Sequence, residues 1–175
     1  MSQLASIQWL GRRGMQWASL LPTLLHHRVF HVPPQVLLDH LGGNDLGLLK
    51  GKALILQALA DFQSLRRRWP GVLIIWSCML PRLVWREGSD HLALEQARRR
   101  ANSETYKELL RYGDMSIQHP EIVRSRRALY RQDGVHLSDQ GNDLFLEDLQ
   151  KGLRDAILAR WERARKQRLI TLFGG

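Results

Sequence analysis

Apolar positions change period along the chain, and the changes mark out alternating strand-like and helix-like stretches. Val72-Leu73-Ile74-Ile75-Trp76-Ser77-Cys78-Met79 is an almost unbroken apolar run closed by Pro81, the pattern of a strand covered on both faces. Val36 to Leu41 follows Pro33-Pro34 and stops at Gly42-Gly43, which predicts a second strand. Ser6 to Leu10, ending at Gly11, and Met115 to Gln118, ahead of Pro120, predict two shorter ones. Helical spacing appears over Ala18 to His26, then over Leu54 to Trp69, which Pro70-Gly71 ends. His91 to Tyr112 predicts a long, mostly polar helix with a weak apolar stripe. The last helix is predicted at about 142–168: its apolar positions, Leu144, Phe145, Leu149, Leu153, Ile157 and Leu158, give way to a basic end, leaving 169–175 as a tail. Strands alternating with helices predict one α/β domain over 1–168 with a mostly parallel sheet.

Composition changes this picture little. With 175 residues, 44% of them hydrophobic and 25% charged, the chain can bury a globular core. Its single cysteine, Cys78, excludes an intramolecular disulfide and, inside an apolar run, reads as a buried hydrophobe. No apolar stretch approaches the roughly 20 residues needed to span a bilayer. The N-terminus lacks a basic lead into a long apolar stretch, so no signal peptide and an intracellular location are expected.

Charge matters more. The formal net charge is +9, with basic clusters at Arg66-Arg67-Arg68, Arg98-Arg99-Arg100, Arg124 to Arg127 and Arg160 to Arg168. Such charge attracts polyanions, yet each cluster falls where a helix would show its wet face. Solvated helix faces are the plainer reading, and a nucleic-acid-binding module is the alternative function. His31, His40, His91 and His119 have no Cys, Asp or Glu at metal-ligand spacing, so no metal or cofactor is expected.

Three segments could carry chemistry. In Asp133-Gly134-Val135-His136, a carboxylate three residues ahead of a histidine on one tight turn can hold the ring Nδ1, leaving Nε2 free as a general base. A capping aspartate beside a surface histidine has the same pattern, but the Leu137-Ser138-x-x-Gly141 that follows marks a histidine at the entrance to a helix. Leu41-Gly42-Gly43-Asn44-Asp45 ends a strand, where open α/β sheets bind ligands. The Asn44 amide could donate to a developing oxyanion, although Gly and Asn are also ordinary turn residues. Gly11-Arg12-Arg13-Gly14, running into Leu20-Leu21, could supply a second oxyanion N–H or form a phosphate nest.

Taken in order, these segments resemble the SGNH/GDSL superfamily of esterases and acylhydrolases. Gly42-Gly43-Asn44-Asp45 resembles the family's Gly-x-Asn-Asp block, and Asp133 with His136 its final Asp-x-x-His block. The Gly-x-x-Gly turn resembles its second block and places the oxyanion glycine at Gly14, with Gly11 the alternative. The resemblance implies a flavodoxin-like three-layer αβα sandwich and a small-molecule ester substrate. In its mechanism a serine attacks the ester carbonyl, His136 takes the proton, Asp133 orients His136, and Asn44 and Gly14 hold the oxyanion. The family's first block, an interior strand ending in Gly-Asp-Ser, has no counterpart. Only Ser2 and Ser6 precede Gly11, and neither follows such a strand. The expectation is therefore a chain without its first strand and nucleophile, with little or no esterase activity, an exposed edge on the Val36 to Leu41 strand, and marginal stability. The arginine- and tryptophan-rich surroundings also resemble, more loosely, the esterase-like domains of vertebrate mobile elements. Oligomeric state is left open.

Overall fold

The computed structural model describes residues 6–26 and 32–173, with side chains to residue 165. Ser2, His27 and His31 lie outside the described residues, as do the last two residues of the expected tail. Three parallel strands, β1 (Val36–Asp39), β2 (Leu73–Ser77) and β3 (Met115–Ile117), lie in the order β1-β2-β3. Helices α1 (Leu20–His26), α2 (Gly51–Arg68), α3 (His91–Arg111) and α4 (Asp139–Phe173) surround them, α1 entered through a 3-10 turn at Trp17–Ser19. Two elements outrun their predicted bounds: α2 starts at Gly51, and α4 begins at Asp139 and continues through residues 169–173.

β2 is buried along its whole length because it is central, and its alternating side chains feed two cores. Ile74 and Trp76 join Trp17, Leu54, Phe62 and Leu109 under α1, α2 and α3. Leu73 and Ile75 join Ile117, Leu149 and Ala156 under α4. The result is the expected three-layer αβα arrangement. Asp114 locks the start of the sheet, accepting the Ile74 N–H at 2.9 Å and a salt bridge from Arg66.

The strand predicted at Ser6 to Leu10 does not form. Those residues are irregular, and Ile7 and Trp9 are 59% and 75% exposed. A strand is stable only when its backbone groups find a partner, and none of the three strands pairs with this segment. Among the described residues β1 pairs with β2 alone, leaving its other edge without a neighbouring strand, as the resemblance implies.

Candidate active site

The C-terminal ends of the strands carry the loops that matter. Gly42, at φ +93°, begins the turn after β1, with Asp45 N–H and Leu46 N–H both returning to its carbonyl. Asp45 is buried and accepts the Trp17 N–H on both oxygens, at 3.1 and 3.0 Å. Burial raises its pKa, and the Trp17 bond opposes that shift. Its carboxylate thereby caps the backbone at the start of the distant 3-10 turn. Trp17 is held besides by its indole N–H on Asp61 at 2.9 Å and by edge-on packing against Phe62. These anchors fix the turn just ahead of it, where Gly14 takes φ +69° and Met15 N–H meets the Arg12 carbonyl at 3.1 Å.

Asn44 is half-buried and held at both ends of its amide. Its Nδ2 donates to the Met15 carbonyl at 3.0 Å, and its Oδ1 accepts from Arg82 Nη2 at 2.9 Å. Those contacts leave one N–H of the amide uncommitted. Burial and the neighbouring Arg86 lower the Arg82 pKa. The loop carrying Arg82 is set from two sides. Arg98 and Asn102 of α3 bond the Met79 carbonyl at 2.6 and 3.0 Å. Leu83 N–H and Val84 N–H bond the Gly134 carbonyl at 2.8 and 3.1 Å.

That second tie joins the loop to the Asp133 turn. Asp133 Oδ1 accepts the N–H groups of Val135 and His136 at 2.9 and 3.0 Å, and its Oδ2 lies 2.5 Å from His136 Nδ1. The backbone bonds and the His136 contact hold its carboxyl well below the usual carboxylate range. With Nδ1–H given to a carboxylate, His136 Nε2 is the free, basic nitrogen. The motif behind it has a local cause. Ser138 Oγ caps Gly141 N–H at 3.2 Å, and Gly141 passes so near the Leu129 carbonyl that a Cβ would lie 2.3 Å from its oxygen.

Gly14, Asn44, Arg82, Arg86 and His136 line one cleft of about 470 Å³, with Arg13 at its rim. Asp133 and Arg131 line the recess beside it, together with Arg13, Arg86 and His136. Gly11 lines neither. Among the described residues, none that lines either space is a serine, threonine or cysteine. Cys78 is no substitute, since burial pushes its thiol up to about 11.

A second cluster escaped the sequence reading. His119 Nδ1 lies 3.0 Å from Asp148, its Nε2 is 2.9 Å from Ser77 Oγ, and Ser77 Oγ is 2.9 Å from His40 Nδ1. With His119 Nδ1–H donated to the carboxylate, its Nε2 accepts the Ser77 hydroxyl, which accepts from His40 in turn. Burial lowers the His119 pKa against the opposing Asp148 carboxylate. Ser77 has no exposed surface, so this Ser-His-Asp chain offers no substrate a path. It ties β1, β2 and α4 together at the α4 face. Adjacent residues do not signal it, because its members come from four separate segments.

No family model and no curated protein matches this sequence. Solved structures do match. A carbohydrate esterase of family 3 from Clostridium thermocellum superposes with a TM-score of 0.61 and 22% identity, over 83% of this chain and 68% of that one. A family 3 carbohydrate esterase from Talaromyces cellulolyticus and a serine-to-alanine mutant of an acetyl esterase, solved with acetate ion, each give 0.59 and 17%, over 83% of this chain and 70% of theirs. The fold is that of these esterases. At such identities the likeness speaks for architecture. Among the described residues, no helix is long and apolar enough to cross a membrane, and no group of His, Cys, Asp and Glu could hold a metal.

Proposed function

We propose that the cleft is the oxyanion and base half of an SGNH-type ester hydrolase site, and that this chain lacks the nucleophile such a site serves. One observation carries the reading: a carboxylate-held histidine with a free Nε2 faces the same cleft as a doubly anchored asparagine amide and a positive-φ glycine. In the complete reaction a serine hydroxyl attacks the ester carbonyl while His136 Nε2 takes its proton. Asp133 keeps the ring in one tautomer and balances the imidazolium charge. The Asn44 amide and the Gly14 N–H stabilise the oxyanion as it forms. The proton then passes from His136 to the departing alkoxide, and water repeats the cycle on the acyl-serine.

Because no hydroxyl or thiol side chain lines the cleft among the described residues, none of them is placed for His136 to activate. Hydrolysis of a short-chain aryl acetate by this chain should match that of its His136→Ala variant, both at the rate of buffer. A rate that falls on the substitution would show that the chain does contain a nucleophile.

A further inference from the structure

Arginines gather in two kinds of place, the sequence clusters and the candidate site. Within the sequence clusters, Arg66 pairs with Asp114, Arg98 and Arg99 with Glu95, and Arg126 with Glu121. Arg160 bonds the Gly71 carbonyl. Four others, Arg13, Arg82, Arg86 and Arg131, converge on the candidate site. Arg13 and Arg86 line both the cleft and the adjoining recess, Arg82 lines the cleft, and Arg131 lines the recess. Two carboxylates share these spaces with the four arginines, Glu87 in the cleft and Asp133 in the recess, so their charge is only partly neutralised. Among the described residues Arg13 has no carboxylate within ion-pair reach. Arg86 meets Asp133 only at 3.4 Å, and Arg131 meets Asp139 only at 3.9 Å. The Asp133 carboxylate is already committed to three donors on its own turn. Arg82 is half-buried and spends one N–H on a neutral amide oxygen; burial first, and then the charge of Arg86, lower its pKa against the opposing Asp133 carboxylate.

Like charges held together around a concave space are the arrangement that binds an oxyanion. A guanidinium fork matches the paired oxygens of a phosphate or a carboxylate. A cleft of about 470 Å³ has the size of a small-molecule site. An extended polyanion needs a continuous basic face, whereas an enclosed space of this size suits a small anion.

We propose that the cleft binds a small molecule carrying a phosphate or carboxylate group, held by Arg13, Arg86 and Arg131 beside His136. Arg82 closes the cleft from the Asn44 side. Resting on the hydrolase reading, this names the substrate class: an ester with an anionic group close to the scissile bond. The binding itself does not depend on turnover.

Calorimetric titration of the full chain at low ionic strength tests it, with inorganic phosphate and acetate in separate arms to tell the two anions apart. Saturable binding of at least one anion is expected. It should weaken at least tenfold in Arg13→Gln and in Arg86→Gln, both exposed positions, and stay unchanged in Arg154→Gln on α4. Absence of binding in both arms overturns the proposal, as does equal affinity in the parent and the two cleft variants. A third arm titrates a mixed-sequence single-stranded oligonucleotide. If it binds and Arg154→Gln weakens it as much as Arg13→Gln does, the site is a diffuse polyanion surface and the small-ligand proposal fails. The hydrolase reading is judged separately, by His136-dependent turnover.

Discussion

Asp39 and Asp133 show how strongly surroundings decide what a carboxyl group does. Asp133 is exposed and collects three donors from its own turn, so it stays ionised and available to His136. Asp39 is buried at the end of β1, its Oδ2 meets no partner, and burial pushes its pKa from 3.8 to about 7. A carboxyl whose folded pKa lies above its unfolded one contributes its full stability below pH 3.8 and loses it as pH rises through 7. The loss amounts to at most about 4 kcal/mol. Asp39→Asn should therefore melt above the parent at pH 8, the gap narrowing toward pH 4; equal gaps at both pH values would contradict this. Asp133 and His136 were legible in the sequence because three residues on one turn bring them together without help from the fold. Arg82 was not, because its contact with Asn44 depends on the loop after β2 being held by α3 and by Gly134. The Ser77–His119–Asp148 chain was hidden for the same reason.

The elements were legible wherever the apolar pattern of the segment matched the faces it buries. β2 stood out through its unbroken apolar run, and α2 and α4 through their stripes. The predicted strand at Ser6 to Leu10 failed because apolar character alone cannot supply a neighbour. Packing between elements left a quieter mark. Gly152 of α4 lies so close to β3 that a Cβ there would come within 2.4 Å of Ile117 Cγ1. This permits α4 to cover Ile75 and Ile117 and brings Asp148, one turn earlier, to His119. Gly152→Ala should gain about 1 kcal/mol in helix propensity yet lose about 1–3 kcal/mol to overpacking. Urea denaturation should show a net loss at unchanged slope, whereas a stabilised variant would mean that α4 can shift outward freely.

For the whole molecule, the deciding feature is the outer edge of β1. An open edge with unpaired backbone groups is a template for another strand, and β1 leads directly into the turn that carries Asn44. The same strand ends at buried Asp39, whose Oδ2 has no hydrogen-bond partner. The order of the motifs announced the αβα architecture, and the neighbouring esterase structures share it. The sequence ahead of Gly11 holds no strand-like run ending in Gly-x-Ser, and among the described residues β1 has no strand on its outer edge. The central claim, that Asn44, Gly14 and the Asp133–His136 pair form a hydrolase site awaiting a serine, is tested most directly by supplying one. A strand ending in Gly-Asp-Ser, joined by a flexible linker ahead of Met1, should confer aryl acetate hydrolysis on a folded protein. That activity should disappear in His136→Ala and fall roughly 100-fold or more in Asn44→Ala, the usual effect of losing an oxyanion donor. Turnover by the unextended chain that depends on His136, or turnover by the extended chain that survives His136→Ala, would contradict the account.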